Sequence, residues 1–302
     1  MKSKVLVTGI DGFTGRYLAP ILAARGYEVH GLVSHAGDSV LPDVSHVHRC
    51  DLTDATRVGE VMHDIEPQAV VHLAGVSFVG HGDIEAMYRI NLLGTRHLLH
   101  ALAHNRIRPD AVLLASSANV YGNGTEGVMD ETTPPAPAND YAVSKLAMEY
   151  VARLYADSLP IIVARPFNYT GVGQDESFLL PKIVAHVRKG ASEIELGNLN
   201  VARDFSDVRM VAQAYQRLLA TKAALGHTFN VCSGKAYTLN EVLALAREIS
   251  GRALEVRVNP AFVRENEVKV LLGSKARLEA CIGKLDTFEL RDTLRWMLEH
   301  RV

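Results

Sequence analysis

Tyr141-Ala142-Val143-Ser144-Lys145 sets a phenol and an ammonium one helical turn apart on a single face. A phenol can give or take a proton at a reacting oxygen. A neighbouring ammonium favours the phenolate, which predicts a lowered phenol pKa and proton exchange near neutral pH. Upstream, the apolar run Ala111 to Ala115 ends in Ser116-Ser117 and continues into Asn119-Val120-Tyr121-Gly122. A hydroxyl at the carboxyl edge of a parallel strand lies where open α/β sheets bind their ligands. A second candidate opens the chain: Val5-Leu6-Val7-Thr8 leads into Gly9-Ile10-Asp11-Gly12-Phe13-Thr14-Gly15 and then a helical pattern. Glycines there permit a tight turn, close approach of backbone to a pyrophosphate, and close helix–strand packing; the helix start adds N–H groups and a positive dipole end. The spacing is GxxGxxG rather than GxGxxG, so the dinucleotide fingerprint is met in context and not in letters.

The elements that must position these groups alternate. Val5-Leu6-Val7, Val29 to Val33, Val70-Val71-His72-Leu73, Ala111 to Ala115 and Ile161-Ile162-Val163 read as buried parallel strands. Between them, Tyr17-Leu18-Ile21-Leu22 carries an apolar helical face that stops at Gly26, with Pro20 predicting a kink or a late start. Ile84 to His104 and Tyr141 to Ala156 are two longer helical patterns. The alternation implies right-handed crossovers and an α/β fold: a Rossmann-type doubly wound parallel sheet spanning residues 1–165. Beyond Arg165-Pro166 the segments shorten, and residues 166–302 read mainly as a smaller α/β substrate lobe. The chain is expected to return to the main sheet around 205–234, where Thr228 to Cys232 is strand-like; a Thr238/Glu241 capping box then opens a helix. Thr132 to Pro137 must be a loop.

Composition narrows the classes. The 302 residues are 48% hydrophobic, enough for a sizeable core, and 32 basic against 34 acidic residues argue against a nucleic-acid surface. Cys50, Cys232 and Cys281 are too few and too scattered for a disulfide framework or a CxxC metal knuckle, which fits a reducing, cytoplasmic setting. No apolar run approaches membrane-spanning length, and the start of the chain lacks signal-peptide character. His97, His100 and His104 recur on one helical face, but no carboxylate joins them in sequence, so no metal is expected there.

Together, Thr8 to Gly15, His72-Leu73-Ala74-Gly75, Asn91-Leu92-Leu93-Gly94-Thr95, Ser116 to Gly122, Tyr141 to Lys145 and Arg165-Pro166-Phe167-Asn168 resemble the extended short-chain dehydrogenase/reductases of the nucleotide-sugar branch. The resemblance makes Tyr141 the general acid/base, Lys145 its electrostatic partner and a cofactor-ribose ligand, and Ser117 the hydrogen bond to the reacting oxygen. It places Gly9, Gly12, Phe13 and Gly15 around the cofactor pyrophosphate, Asp51 and Leu52 against the adenine, and Leu73 and Ala74 along the cofactor. The second strand ends in Ser34-His35 without the carboxylate that holds a ribose 2′-hydroxyl, which favours NADPH with Ser34 near the 2′-phosphate and leaves NADH second.

Further along, Gly197-Asn198-Leu199, Ala202 to Val208, Asn230 to Gly234 and Arg264 to Val268 resemble the GDP-4-keto-6-deoxy-D-mannose reductases and, more distantly, the GDP-mannose 4,6-dehydratases. By that resemblance Asn168, Arg203 and Arg264 contact the substrate diphosphate and Glu267 the nucleotide ribose; Glu265 replaces the usual proline after the arginine. Dehydration needs titrating groups just after the catalytic hydroxyl, where this chain has Ala118 and Asn119. The expected reaction is therefore reduction of the C4 ketone of a GDP-4-keto-6-deoxyhexose to a GDP-6-deoxyhexose of the GDP-D-rhamnose kind. A nucleotide-sugar 4-epimerase retaining NAD is the alternative, and a non-catalytic dinucleotide-binding regulator a more distant one. The resemblance also implies a homodimer paired through its two long helices.

Overall fold

A computed structural model describes residues 2–35, 41–77, 83–122, 127–263 and 268–300. The candidates Arg264 and Glu267 lie outside the described residues.

Seven parallel strands form the main sheet. They are β1 (Lys4–Thr8), β2 (Glu28–Val33), β3 (His46–Arg49), β4 (Ala69–His72), β5 (Ala111–Ala115), β7 (Ile161–Pro166) and β11 (Thr228–Val231), ordered β11-β7-β5-β4-β1-β2-β3. Chain order reverses between β1 and β4, the switch point at which such sheets open a crevice beyond their carboxyl ends. The first four expected strands and the fifth are all present; β3 is the one not foreseen. Its sequence, His-Val-His-Arg, is mostly exposed at the sheet edge and carries no apolar run to announce it.

Helices cover both faces. On one, α1 (Phe13–Ala24) and α7 (Val208–Leu219) bury Leu18, Leu22, Val211, Tyr215 and Leu218 against Val5, Val7, Val71 and Leu113. On the other, α2 (Ala55–Ile65), α4 (Thr95–Ala103) and α5 (Asp140–Arg153) bury Val58, Met62, Leu98, Leu102 and Met148 against Leu6, Val70 and Val112. Helix α1 begins at Phe13 and runs through Pro20, so the late start is not what occurs. Pro20 sits on the exposed side, and Gly26, at φ +87°, turns the chain out after the last residue.

The segment read as one helix from Ile84 to His104 is continuous but uneven: α3 (Ile84–Tyr88), a π-helical turn (Arg89–Gly94), then α4. A Cβ at Gly94 would stand 3.0 Å from the Leu52 Cβ, so a glycine lets this turn press against the loop after β3. Such widened turns redirect a side chain, and here Asn91 points inward.

The second sheet has the order β12-β10-β14-β6, with β8 beside β10. Its strands are β6 (Val128–Met129), β8 (Asn168–Thr170), β10 (Ala202–Asp207), β12 (Ala236–Thr238) and β14 (Val270–Gly273). β9 (Glu193–Leu196) and β13 (Glu255–Val258) pair separately. α6 (Leu179–Lys189), α8 (Leu239–Ser250) and α10 (Leu290–Glu299) pack over this lobe, while α9 (Ala276–Ile282) follows β14 and packs Leu278 into the main core. The Thr238/Glu241 capping box is formed. Each lobe borrows chain from the other: β6, early in sequence, joins the second sheet, and β11, late in sequence, joins the first.

Candidate functional site

The glycine loop lies at the switch point. Gly9 has φ +66°, and a Cβ there would meet the Ala74 backbone at 2.9 Å, so only glycine lets the turn close on the segment after β4. A Cβ on Gly15 would fall 2.4 Å from the Ile10 carbonyl oxygen, which fixes the close fit of helix to loop. Gly12 is the N-cap of α1, offers no side chain to the first-turn amides, and no acidic residue stands in that turn. The helix start is thus left to an anion from outside the chain. Phe13 stacks on Tyr169 at 6.0 Å, and Thr14 Oγ1 lies 2.8 Å from the Tyr169 hydroxyl. The loop therefore reaches across to β8. Leu73 and Ala74 flank it, the Ala74 amide donating to Thr8 Oγ1 at 3.1 Å.

Beneath Ala74 runs a buried relay. Thr95 Oγ1 donates to the Asn91 carbonyl at 2.7 Å, so at 2.8 Å it accepts from His72 Nε2. His72 Nδ1 then accepts from Thr8 Oγ1 at 2.7 Å. This bonding leaves room for one neutral tautomer, and burial, followed by the charge of Lys145, pushes His72 down to about 3.

Ser117, Tyr141 and Lys145 lie around the carboxyl end of β5. Ser117 caps the short helical turn Ala118–Tyr121 at the end of β5, accepting from the Asn119 amide and from Asn119 Nδ2 at 3.2 and 3.1 Å. Tyr141 and Lys145 are buried on the inner face of α5, with Ser117 near enough to the phenol to pull its pKa down. Lys145 Nζ donates to the Ala115 carbonyl at 2.9 Å. Asn91, from the π-helical turn, donates to Ser144 Oγ and the Val76 carbonyl and accepts from the Val76 amide. It ties α5 to the loop after β4. A Cβ on Gly75 would lie 2.8 Å from Asn91 Oδ1 and 3.3 Å from Lys145 Nζ, so a side chain here would press on both.

One electrostatic expectation is corrected. The sequence predicted a phenol lowered by its lysine; instead burial pushes Tyr141 up to about 12, with Ser117 opposing it, and burial pulls Lys145 down to about 8 against the upward pull of Glu149. Desolvation sets the direction for both groups, and the ammonium is turned towards the Ala115 carbonyl rather than the phenol.

Behind this trio is a network that sequence reading missed. Glu149 and Arg165, both buried, pair through Oε2–Nη2 at 2.6 Å and Oε1–Nε at 2.9 Å. Ser116 donates to Glu149 at 2.5 Å, Arg165 to the Tyr121 hydroxyl at 3.0 Å, and Tyr121 to Asn230 Oδ1 at 2.7 Å. Glu149 continues the 141, 145 spacing by one more turn, the one local signal of its place.

The remaining candidates divide. Ser34 and His35 are exposed at the end of β2 and bonded to each other at 2.8 Å. Asp51 accepts from Thr53, whose amide holds its carboxyl below the usual range, and His35 and Arg89 add to that lowering. Arg89, remote in sequence, is thus a cation beside this corner that spacing does not reveal. Leu52 is buried below it, under the π-helical turn. Asn168 sits on β8 with its Nδ2 buried and, among the described residues, without a hydrogen-bond partner, a donor left for a ligand. Arg203, on β10 of the second lobe, donates to the Ala202 and Lys269 carbonyls at 3.0 and 3.2 Å. His97, by contrast, turns onto the Leu52 carbonyl, away from the packed His100–His104 pair.

The family description that fits the chain is GDP-mannose 4,6-dehydratase, matched over residues 6–297. A GDP-6-deoxy-D-mannose reductase from Pseudomonas aeruginosa is 36% identical, with 99% of this chain and 97% of the relative covered. A GDP-6-deoxy-D-talose 4-dehydrogenase from Aggregatibacter actinomycetemcomitans is 33% identical, with 99% and 98% covered. Among solved structures, a Burkholderia cenocepacia J2315 protein whose epimerase assignment is provisional superposes with TM-score 0.91 at 52% identity, covering 98% of this chain and 97% of that one. The RMD structure from Pseudomonas aeruginosa in complex with NADPH gives TM-score 0.83 at 34% identity, covering 99% and 97%.

Proposed function

Because this chain belongs to the GDP-mannose 4,6-dehydratase family, we propose that it uses a nicotinamide dinucleotide to reduce the C4 ketone of a GDP-4-keto-6-deoxyhexose. The observation that carries the reading is Ser117, Tyr141 and Lys145 gathered at the carboxyl edge of β5, with Asn119 in place of a carboxylate on the serine. The residues present fit the cofactor: an uncapped helix start at Gly12, and glycines whose Cβ atoms would strike backbone.

The bound cofactor supplies the hydride. Tyr141, protonated at neutral pH, donates its proton to the C4 oxygen as negative charge develops there, and Ser117 holds that oxygen by a hydrogen bond. Lys145, cationic below about pH 8, stabilises the phenolate left on Tyr141. Asn168 Nδ2 serves the diphosphate side of the sugar nucleotide from β8, with Arg203, Arg264 and Glu267 as further contacts in the second lobe. Ser34 at the end of β2 and the nearby Arg89 favour a 2′-phosphate, hence NADPH over NADH. The division at residue 165 into a cofactor lobe and a sugar-nucleotide lobe follows this reading, and three unpaired thiols suit the cytoplasm. Val143 and Tyr150 on α5 and Leu154 just past its end form an exposed apolar stripe, with Leu154 76% exposed, which supports a homodimer through this helix.

The dehydratase reaction of the family name is not proposed here, since Ala118 and Asn119 offer no acid for loss of the C6 hydroxyl and Glu149 is bonded to Ser116 and Arg165. To test the reading, the purified chain is given GDP-4-keto-6-deoxymannose with NADPH or NADH and the sugar is identified by NMR. A 6-deoxyhexose bearing a new C4 hydroxyl is expected, its configuration deciding between rhamnose and talose products. Protein that retains stoichiometric NAD and inverts C4 of a nucleotide sugar without consuming reductant would instead be a 4-epimerase.

A further inference from the structure

We propose that Glu28, His30 and His46 form a binding site for one divalent transition-metal ion of the zinc kind, clamping the edge strand β3 to β2. The site is built by strand register. Glu28 and His30 are two apart on β2 and share a face; His46 on β3 is the direct cross-strand partner of His30. Glu28 Oε1 lies 3.1 Å from His30 Nε2 and 3.3 Å from His46 Nε2, and the three ligand atoms all fall within 4.8 Å of one another. Four ligands at about 2.0–2.1 Å from zinc stand about 3.3 Å apart at tetrahedral angles. Two edges of that figure are already in place, and a turn of the exposed His46 ring closes the third.

Two imidazoles and a carboxylate are a donor set that zinc uses with an open fourth position, which here faces solvent. His46 is 56% exposed and Glu28 31%, which gives an ion a way in, while His30 at 7% is fixed. A fourth residue completes the support. His48 Nε2 lies 2.9 Å from His30 Nδ1, with the rings stacked at 5.2 Å. When His30 Nδ1–H donates to His48, the Nε2 lone pair is freed towards Glu28 and His46, the arrangement by which an outer group sets the tautomer of a metal-binding histidine. Lys4 is a cation facing the cluster, but its Nζ is tethered to the Ile65 carbonyl at 2.9 Å. Arg57 and Asp64 of α2 face His48 with opposite charge.

The cluster stands towards the amino-terminal end of β2, with Glu28 about 20 Å and His30 about 13 Å of strand from Ser34, so the ion is no part of the proposed chemistry at Tyr141. It holds instead the strand that leads into Asp51 and Leu52. Untagged full-length protein titrated with Co²⁺, the visible stand-in for Zn²⁺, is expected to bind one ion per chain with the intense bands of a four-coordinate site, displaced by Zn²⁺. His46→Ala and Glu28→Gln, both at solvent-accessible positions, each weaken binding more than tenfold, and His48→Ala by about 10–100-fold. His100→Ala leaves it unchanged. Zn²⁺ also slows amide exchange in β3 of the unaltered protein and not of His46→Ala. Absence of saturable binding at one ion per chain, equal affinity in both His46→Ala and Glu28→Gln, or β3 exchange indifferent to Zn²⁺ would overturn the proposal.

Discussion

At the scale of single residues, the catalytic assignment turns on two buried groups with opposite shifts. Tyr141 stands near 12 and Lys145 near 8, each moved first by burial, so at neutral pH the tyrosine holds its proton and the lysine its charge. Tyr141→Phe is expected to cut turnover by about 10²–10⁴-fold, the worth of a positioned proton donor, while cofactor binding by fluorescence titration persists. Loss of charge on Lys145 predicts that log kcat/KM falls with rising pH above about 8, whereas stability responds the other way. Because its folded pKa is below the unfolded 10.5, the unfolded chain binds the extra proton between about 8 and 10.5, and this group's contribution to stability rises across that window. Ser117, Tyr141 and Lys145 were legible because two of them share one helical turn and the third ends an apolar strand. Arg89 was not, and of Asn91 and Glu149 only the motif and the spacing showed: what these three touch is decided by pairings between distant segments.

Elements set where those residues stand. Gly9→Ala is expected to cost about 1–3 kcal/mol by urea unfolding, since it puts a Cβ at positive φ against the Ala74 backbone, and to weaken dinucleotide binding. The relay Thr8–His72–Thr95–Asn91 ties β1, β4 and α4 together through a neutral histidine. Folded His72 is near 3 against 6.5 unfolded, so its contribution is complete above pH 6.5 and is lost as pH falls towards 3. The protein therefore loses stability on acidification through that window, and His72→Gln flattens the slope in thermal melts read against pH. The buried strands and the capped helices could be read from apolar runs and from local signals such as Thr238 and Glu241. β3 could not, because an edge strand of exposed histidines buries too little to need an apolar pattern. The wide turn at Arg89–Gly94 was hidden likewise: helical periodicity persists through one extra residue, and only the press of Gly94 on Leu52 marks it.

Across the whole molecule, two sheets exchange strands, and the buried Glu149–Arg165 pair joins α5 to β7 just behind the reactive groups. Removing one partner leaves an uncompensated charge in the core. Arg165→Met is expected to destabilise by about 3–5 kcal/mol in urea unfolding, with catalysis reduced in whatever remains folded because Ser116 and Tyr121 lose their anchor. This architecture was readable as a class, since strand and helix patterns alternate up to residue 165; the crossing of β6 into the second sheet was not, because a two-residue strand carries no pattern of its own. The near-neutral charge total, read as an argument against a nucleic-acid surface, concealed an anion-ready helix start at Gly12 and, among the described residues, an unpartnered amide on Asn168. All of these features serve one proposed reaction, so the most direct test is the absorbance of NADPH in the presence of GDP-4-keto-6-deoxymannose and the purified protein. A decline that requires the keto sugar and vanishes in Tyr141→Phe is the result predicted. No oxidation of NADPH or of NADH by the folded protein would contradict it.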